Sequence, residues 1–352
     1  MSDDVEETPA DRREPRRRFN LIGHEKAESK LLEAYRSGKL HHGWILGGPN
    51  GIGKATLAYR FARFTLRYPD PAAVPDTVTT LDVSGDDRVA RRIAANGHSD
   101  LLTVSMAWDH KTKKFKREIG AAEARKASTF FTRTAGEGGW RVCIVDPASA
   151  LNATAANALL KVLEEPPERA LFLLVSDIPG RLMATIRSRC VRLDLKPLEQ
   201  EAVKTVLNQV IEPEEGFSLA QIDAATGWAQ GSPGRALQLL TSGIHDRLPD
   251  FTRLTATFPN LDKKKALDFA EKICARGADK HYLMFCDLLL VWLANETRKR
   301  AISGVNAGAL AEAHDEIARS LRRANGLNLD KRQTFLQALY RIQRAWGQQV
   351  AA

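Results

Sequence analysis

The sequence predicts an α/β phosphate-loop domain built on a parallel sheet, followed by a small helical domain and an all-α C-terminal domain. The stretch GGPNGIGKAT, residues 47–56, is typical of a phosphate-binding loop. Two apolar runs downstream, Trp140–Asp146 and Ala170–Ser176, have the β-branched and aliphatic composition of strands buried in a parallel sheet. Strand signals fade after Leu198, and the remaining chain has the apolar periodicity of helices separated by proline and glycine.

The segments around the loop alternate between strand and helix. The apolar run HGWIL leads into the loop, and the segment after it places Leu57, Phe61 and Phe64 on one helical face. A second helix is expected to begin with Asn152 as its N-cap and to end before Pro166. Alternation of this kind around a phosphate loop indicates a parallel sheet with helices on its faces.

Shifts in composition suggest four regions. Residues 1–19 carry an acidic half and then a basic half, a pattern typical of a disordered tail. The α/β phosphate-loop domain is expected over 20–195, the small helical domain over 196–245 and the C-terminal helical domain over 246–352. The polar stretch 69–116 gives no clear structural prediction.

Composition favours a cytoplasmic protein. No stretch reaches the ~18 apolar residues that a membrane span needs, and the N-terminus lacks the apolar core of a secretory signal. The four cysteines are scattered without a C-x-x-C pair, which argues against zinc and fits a reducing compartment. The net charge of +9 is compatible with work beside nucleic acid, although the densest basic cluster, Arg298–Arg300 with three arginines downstream, fits a solvated helix face better than a DNA-binding track.

The loop is the candidate nucleotide site. A glycine-rich turn between a strand and a helix directs backbone N–H groups at one point, and the helix N-terminus adds partial positive charge there. The expected ligand is ATP or ADP, with Lys54 reaching the β- and γ-phosphates. The candidate binding residues of this degenerate loop are Gly48, Pro49, Asn50, Gly51, Ile52, Gly53, Lys54, Ala55 and Thr56.

Two substitutions predict that a bound nucleotide is not hydrolysed. Ala55 stands where a serine or threonine hydroxyl would hold magnesium. Thr56 cannot replace it, because one residue along a helix turns the side chain by roughly 100°. Asp146 supplies the first acid expected at the end of a strand, but Pro147 stands where the second acid would orient the attacking water. Ser176, at the end of the next strand, could hydrogen-bond a phosphate or water, although a polar strand end looks the same without any function.

Several motifs together resemble a known family. The stretch NALLKVLEEPPERALFLLVSDIPGRLMATIRSRC, residues 157–190, contains an LEEPP and an SRC motif at a characteristic distance behind a phosphate loop. Further matches are GHSDLL, GGWRVCIVDPASALN and GSPGRAL. From about residue 21 to 240 the chain resembles the clamp-loader branch of the AAA+ family, in the form found in bacterial DNA polymerase III.

The resemblance implies an AAA+ domain, a helical lid and a helical collar through which five subunits form a ring. It implies a non-hydrolysing stator that contacts the delta subunit and a gamma/tau-type motor subunit, and that meets the sliding clamp and primed DNA through the complex, away from any membrane. It also assigns a role to Arg189 of the SRC motif, which would act catalytically in trans at a neighbour's ATP. Such arginine fingers can be worth ~10³–10⁵ in rate. A local salt bridge at a helix end is the structural alternative for Arg189.

Departures from the family pattern separate the alternatives. The segment 66–100 lacks the four zinc cysteines of the motor subunits, and Gly234 occupies the slot of the lid arginine that senses the γ-phosphate, with Arg235 one position late. An active ATPase motor is therefore disfavoured by Ala55, Pro147 and Gly234 together. A helicase loader or replication initiator on the same fold would usually carry a DNA-reading element, and none is recognisable after Asp250.

Overall fold

The computed structural model describes residues 13–347 except 110, 138, 276 and 328. The described residues form two compact units. The first comprises the chain up to Gly216 together with Ala229–Ala236, and the second comprises Phe217–Trp228 together with the chain from Leu237. The three-domain division expected from composition stays a prediction.

The strands and helices of the first unit alternate as expected. Its strands are β1 (Gly43–Gly47), β2 (Leu101–Val104), β3 (Trp108–Asp109), β4 (Lys114–Phe115), β5 (Arg141–Val145), β6 (Ala170–Ser176) and β7 (Val191–Asp194). Its helices are α1 (Glu25–Arg36), α2 (Lys54–Arg67), α3 (Arg88–Ala94), α4 (Ala121–Thr132), α5 (Ala153–Glu164), α6 (Ala184–Arg187) and α7 (Gln200–Val210). Short 3₁₀ helices lie at Pro15–Arg17, Pro71–Ala73, Ala148–Ala150, Pro179–Arg181 and Pro213–Glu215.

Five of these strands form one parallel sheet in the order β2-β5-β6-β1-β7. Strands β1, β5 and β6 are buried along their whole length, because helices cover both faces of the sheet. Two apolar cores result, one between the sheet and α1–α3 and the other between the sheet and α4–α5. The predicted α/β fold with a parallel sheet is confirmed.

Local sequence signals explain the helix ends near the site. The side chain of Asn152 accepts a hydrogen bond of 2.9 Å from Ala155 N, so the predicted N-cap of α5 is confirmed. The helix ends at Glu164, two residues before Pro166. The unpredicted stretch 69–116 contains α3, β2 and the antiparallel hairpin β3–β4.

The prediction of a disordered tail is wrong for residues 13–19. Arg63, on α2 and 1% exposed, donates to the carbonyls of Arg16 (3.0 Å) and Arg18 (2.5 Å) and lies 4.6 Å from the centre of the Phe19 ring. A buried guanidinium needs acceptors, and the backbone of the tail supplies them. Residues 1–12 lie outside the described part of the chain.

The second unit is helical, as predicted. It contains α8 (Leu219–Trp228), most of α9 (Pro233–Thr241), α10 (Leu248–Thr255), α11 (Lys263–Ile273), α12 (Asp279–Ile302), α13 (Gly308–Leu327) and α14 (Lys331–Gly347), with a 3₁₀ helix at His245–Arg247. Phe251, Phe269 and Phe285 pack together in its core, with ring centres 5.0–5.5 Å apart. Among the helices of the described residues, none combines the length and the apolar composition that crossing a membrane would require.

Candidate nucleotide site and exposed arginine

The phosphate loop lies between β1 and α2, as the sequence predicts. Three of its glycines, Gly48, Gly51 and Gly53, have φ values of +133°, +74° and +107°, which side chains other than glycine rarely adopt. At Gly48 a side chain is also excluded by space, since a Cβ there would lie 2.5 Å from the carbonyl oxygen of Leu195. The glycines therefore fix the path of the loop.

Hydrogen bonds from neighbouring segments hold the loop through its carbonyl groups. Asn50 O accepts from Ser232 Oγ at 2.7 Å, Gly51 O accepts from Gly234 N at 2.9 Å, and Ile52 O lies 2.6 Å from Nε2 of the buried His24. By contrast, the amides of Gly51 and Gly53 donate no hydrogen bond to any group in the described part of the chain. Their N–H groups are therefore available to an anion at the N-terminus of α2.

The ammonium group of Lys54 contacts two groups of its own chain. The side chain is only 3% exposed, and Nζ forms an ion pair of 2.7 Å with Asp177 Oδ1 and donates to the carbonyl of Pro49. Asp177 directly follows Ser176 at the end of β6, and its side chain is about one-third exposed. The Asp177 carboxylate is therefore paired with the Lys54 ammonium group, which would otherwise contact a phosphate.

Asp177 was not among the residues predicted for the site. Its signal in the sequence is weak, an acid directly after an apolar strand, where it resembles any solvated strand end. Only the pairing of β1 with β6, which places Gly47 opposite Ser176, brings Asp177 near the loop.

Asp146 and Ser176 lie at the same carboxyl edge of the sheet, after β5 and at the end of β6. Burial and the neighbouring carboxylate of Asp177 raise the pKa of Asp146 to about 6, against the opposing effect of Lys54. Ser176 is 0% exposed, and its hydroxyl has no hydrogen-bond partner in the described part of the chain. The structure thus brings Lys54, Asp146, Ser176 and Asp177 together as a polar group beneath the loop.

The expected catalytic groups are missing from this arrangement. Ala55 lies in the first turn of α2, followed by Thr56. Pro147 follows Asp146 and leads directly into the 3₁₀ helix Ala148–Ala150. Neither Ala55 nor Pro147 has a side-chain oxygen to bind magnesium or orient water.

The start of α9 packs directly on the tip of the loop. A Cβ on Gly234 would lie 2.8 Å from Gly51 Cα and 3.1 Å from Gly51 O, and a Cβ on Gly51 would lie 2.6 Å from Ser232 Oγ. This close approach explains why position 234 is a glycine, because any side chain there would separate the start of α9 from the loop.

Arg189 lies at the opposite edge of the sheet from the loop. It precedes β7, which is parallel to β1 with Trp44 opposite Val191. A Cβ added to Gly43, the first residue of β1, would lie 3.2 Å from the carbonyl oxygen of Arg189. Since β1 runs from Gly43 to Gly47 at about 3.3 Å per residue, about 13 Å of strand separates this amino edge from the loop. The structure therefore does not bring Arg189 together with the other predicted site residues.

The side chain of Arg189 is half-buried and held locally. Nη2 forms an ion pair of 2.9 Å with Glu164 Oε1, and Nη1 donates to the carbonyl of Thr185 at 3.0 Å. Glu164 is the first glutamate of the LEEPP motif and the last residue of α5. The two motifs that carry the family resemblance are thus joined by this ion pair.

The cysteine of the SRC motif has a packing role. A Cβ on Gly43 would lie 2.8 Å from Cys190 Sγ, so the thiol packs closely against the beginning of β1. Burial raises the pKa of Cys190 to about 12, which keeps the thiol protonated and unreactive. Cys190 therefore anchors the chain directly after Arg189.

The sheet order, the loop after β1, which lies between β6 and β7, and the acid at the end of β5 define a phosphate-loop protein of the AAA+ class. Within it, the chain belongs to the family described as DNA polymerase III, delta subunit, whose model matches residues 23–199, about half of the chain.

Curated relatives agree with this assignment. The DNA polymerase III subunit delta' of Pseudomonas aeruginosa is 33% identical over 207 residues, 58% of this chain and 58% of that protein. The subunit delta' of Escherichia coli is 31% identical over 210 residues, covering 60% and 58%. The chain thus spans less than two-thirds of the length of these relatives. The subunit tau of Bacillus subtilis is 28% identical over 65% of this chain and 38% of its own length.

Among solved structures, a DNA polymerase III gamma subunit-related protein of Thermotoga maritima aligns with a TM-score of 0.38 and 17% identity, over 90% of this chain and 99% of that one. The RuvB Holliday junction branch migration motor of the same organism aligns with a TM-score of 0.42 and 18% identity, over 85% and 89%.

Proposed function

We propose that this protein is a non-hydrolysing, delta-prime-type subunit of a DNA polymerase III clamp loader that donates Arg189 to the ATP site of a neighbouring motor subunit. Its partners would be the delta subunit and a gamma/tau-type motor subunit in the cytoplasm, and it would meet the sliding clamp and primed DNA through the complex. The proposal rests on the family membership and on the contrast between the two edges of the sheet.

The observation that carries the proposal is the placement of Arg189. It is a partly exposed arginine about 13 Å of strand away from its own phosphate loop, so it cannot reach a nucleotide bound there. An arginine at an exposed edge can instead approach a nucleotide bound to a second subunit. There its guanidinium would stabilise the charge that develops during phosphoryl transfer.

The ion pair with Glu164 is compatible with this role. Both side chains are more than one-third exposed, and ion pairs of this kind contribute about 0–1 kcal/mol to stability. A γ-phosphate carries more negative charge than one carboxylate and can therefore displace Glu164 at low cost. In the isolated chain, Glu164 and Thr185 hold the arginine in place.

The phosphate loop supports nucleotide binding only in competition with an internal carboxylate. Lys54 already pairs with Asp177, and Ala55 offers no magnesium ligand. We therefore propose that ATP or ADP binds this loop weakly, by displacing Asp177 from Lys54, and is not hydrolysed there.

The test is an ATPase assay of the reconstituted clamp-loading complex with Arg189→Ala in this subunit. Because the guanidinium would act in the transition state, we expect the ATPase rate stimulated by DNA and clamp to fall by about tenfold or more. Association of the subunits, measured by gel filtration, should be unchanged. Arg189→Lys should restore only part of the rate, since lysine lacks the planar donor geometry.

Arg187→Ala is the matched control, because it removes an exposed arginine two residues away on α6. The control should leave the rate within twofold of the parent. An unchanged rate with Arg189→Ala, or an equal loss with Arg187→Ala, would exclude a trans-acting role for Arg189.

A further inference from the structure

The β3–β4 hairpin is a feature that the proposed function does not explain. It consists of Trp108–Asp109 paired with Lys114–Phe115, inserted between β2 and α4 and outside the main sheet. The segment gave no clear structural prediction from sequence, because it is polar and turn-rich.

The hairpin presents two aromatic rings to solvent. Trp108 and Phe115 are directly opposite each other, with ring centres 5.0 Å apart in an edge-to-face arrangement. They are 45% and 64% exposed. Of the Phe, Trp and Tyr residues that the structure describes, Tyr340 is the only other exposed one.

Five cations lie within seven residues along the hairpin and the segment that follows it. They are Lys111, Lys113, Lys114, Lys116 and Arg117, all exposed. None forms an ion pair with a carboxylate in the described part of the chain. The nearest acid on the hairpin, Asp109, accepts hydrogen bonds from the amides of Lys111 (2.8 Å) and Thr112 (3.3 Å) and so shapes the turn.

Folding alone does not account for this composition. Like charges close together on a hairpin repel one another and destabilise it. An aromatic pair left about half exposed gains only part of the free energy that burial would give, and an aliphatic pair could stabilise the same two-residue strands. The arrangement therefore suggests a ligand that is both anionic and able to stack.

We propose that the β3–β4 hairpin binds single-stranded nucleic acid, with bases stacking on Trp108 and Phe115 and phosphates facing the surrounding lysines and Arg117. Exposed aromatic rings interleaved with cations are the combination that single-strand-binding proteins use. An intact duplex fits less well, because its bases are already stacked on each other. This site is independent of the phosphate loop and of Arg189, so it can fail or hold without affecting the proposed function.

The experiment measures binding of the full chain to three fluorescein-labelled 15-mers, oligo(dT), oligo(rU) and a hairpin duplex, by anisotropy at several salt concentrations. We expect either single strand to bind at least tenfold more tightly than the duplex. A preference for oligo(dT) would indicate template DNA as the source, and a preference for oligo(rU) would indicate primer RNA. Equal or tighter binding of the duplex would overturn the proposal.

Two variants separate stacking from hairpin integrity. Trp108→Leu with Phe115→Leu keeps an apolar cross-strand pair but removes both π faces, and we expect it to weaken single-strand binding by about tenfold or more. Leu219→Ala with Ile302→Ala, at two side chains about 80% exposed elsewhere, is the matched control and should leave affinity unchanged.

A third variant tests the phosphate contacts. Lys111, Lys113 and Lys116 changed together to Gln should make the slope of log K against log salt shallower by about 2, since each phosphate contact on a single strand contributes about 0.7. Lys263, Lys264 and Lys265 changed together to Gln remove the same charge from an exposed run on α11 and should leave most of the slope intact.

Equal effects of the two triple substitutions, or unchanged affinity in the leucine variant, would refute the site. The proposal would also be refuted if the full chain bound no oligonucleotide while the hairpin variants lost association with the sliding clamp. The hairpin would then be a protein-docking surface.

Discussion

At the scale of single residues, the contacts of Lys54 determine how much positive charge the phosphate loop offers to a nucleotide. A lysine in this position normally meets the phosphates of a nucleotide, but here it is buried and paired with Asp177 at 2.7 Å. The same carboxylate helps raise the pKa of Asp146 to about 6. One residue that follows β6 therefore changes the electrostatics of the whole loop.

Removing the carboxylate of Asp177 should strengthen nucleotide binding. Asp177→Asn keeps the size of the side chain but frees the charge of Lys54 and removes a repulsive charge from the phosphate site. We expect the affinity for ADP to increase by about tenfold, which corresponds to about 1.4 kcal/mol of competition at a partly exposed pair. Isothermal titration of the isolated chain with ADP measures this directly.

Asp194→Asn is the control, because it alters an exposed carboxylate that is paired with Arg192 at the end of β7, on the other side of β1 from β6. Tighter ADP binding by both variants would indicate a general charge effect. An unchanged affinity in Asp177→Asn would contradict competition between Asp177 and nucleotide.

Several residues of the site could be predicted from sequence because their signals are local. The loop glycines, Lys54, Asp146 and Ser176 each follow or precede a recognisable strand or helix. By contrast, the contacts that hold the loop and the tail join residues far apart in the sequence. Ser232 lies 182 residues from Asn50, and Arg63 lies 45 residues from the backbone of Arg18. Such contacts depend on the tertiary fold, which explains why Asp177 and the packed tail were missed.

At the scale of elements, the first turn of α9 is positioned by contact with the loop. Gly234 donates its amide to Gly51 O at 2.9 Å, and Ser232 donates to Asn50 O at 2.7 Å. The glycine at position 234 is therefore more than the loss of a phosphate-sensing arginine. It is required for the two backbones to approach this closely.

A methyl group at position 234 should weaken this packing. In Gly234→Ala the new Cβ would lie 2.8 Å from Gly51 Cα, a backbone atom that cannot rotate away. Overpacking of this kind typically costs about 1–3 kcal/mol, so we expect a lower free energy of unfolding of the first unit and faster proteolysis near α9. Urea denaturation and limited proteolysis measure the two effects.

Gly180→Ala is the matched control, since a Cβ at Gly180 meets nothing within 4 Å and its φ is not positive. It should change stability by less than about 0.5 kcal/mol. Equal stability of the two variants would show that the start of α9 is not held tightly against the loop.

At the scale of the whole molecule, the parallel sheet separates two sites. The loop lies at the carboxyl edge, where phosphate-loop folds bind nucleotide, and Arg189 lies at the amino edge beside Glu164. The carboxyl edge has lost a hydroxyl at Ala55 and an acid at Pro147, whereas the arginine at the amino edge is intact and partly exposed. If the proposed function holds, the ATPase activity of the complex depends on Arg189 at the amino edge and not on the phosphate loop at the carboxyl edge.

This separation predicts different outcomes for Lys54→Ala and Arg189→Ala in the reconstituted complex. Lys54→Ala removes the cation of the degenerate loop, and we expect the stimulated ATPase to stay within twofold of the parent because hydrolysis occurs in the motor subunits. Arg189→Ala should lower the rate by about tenfold or more, and the double variant should match Arg189→Ala alone, since the effects of distant, independent sites add. Thermal melting of each variant confirms that the chain is folded before assembly. A tenfold loss with Lys54→Ala, in a folded and assembled subunit, would mean that nucleotide at this loop contributes to the reaction and that the two edges of the sheet are coupled.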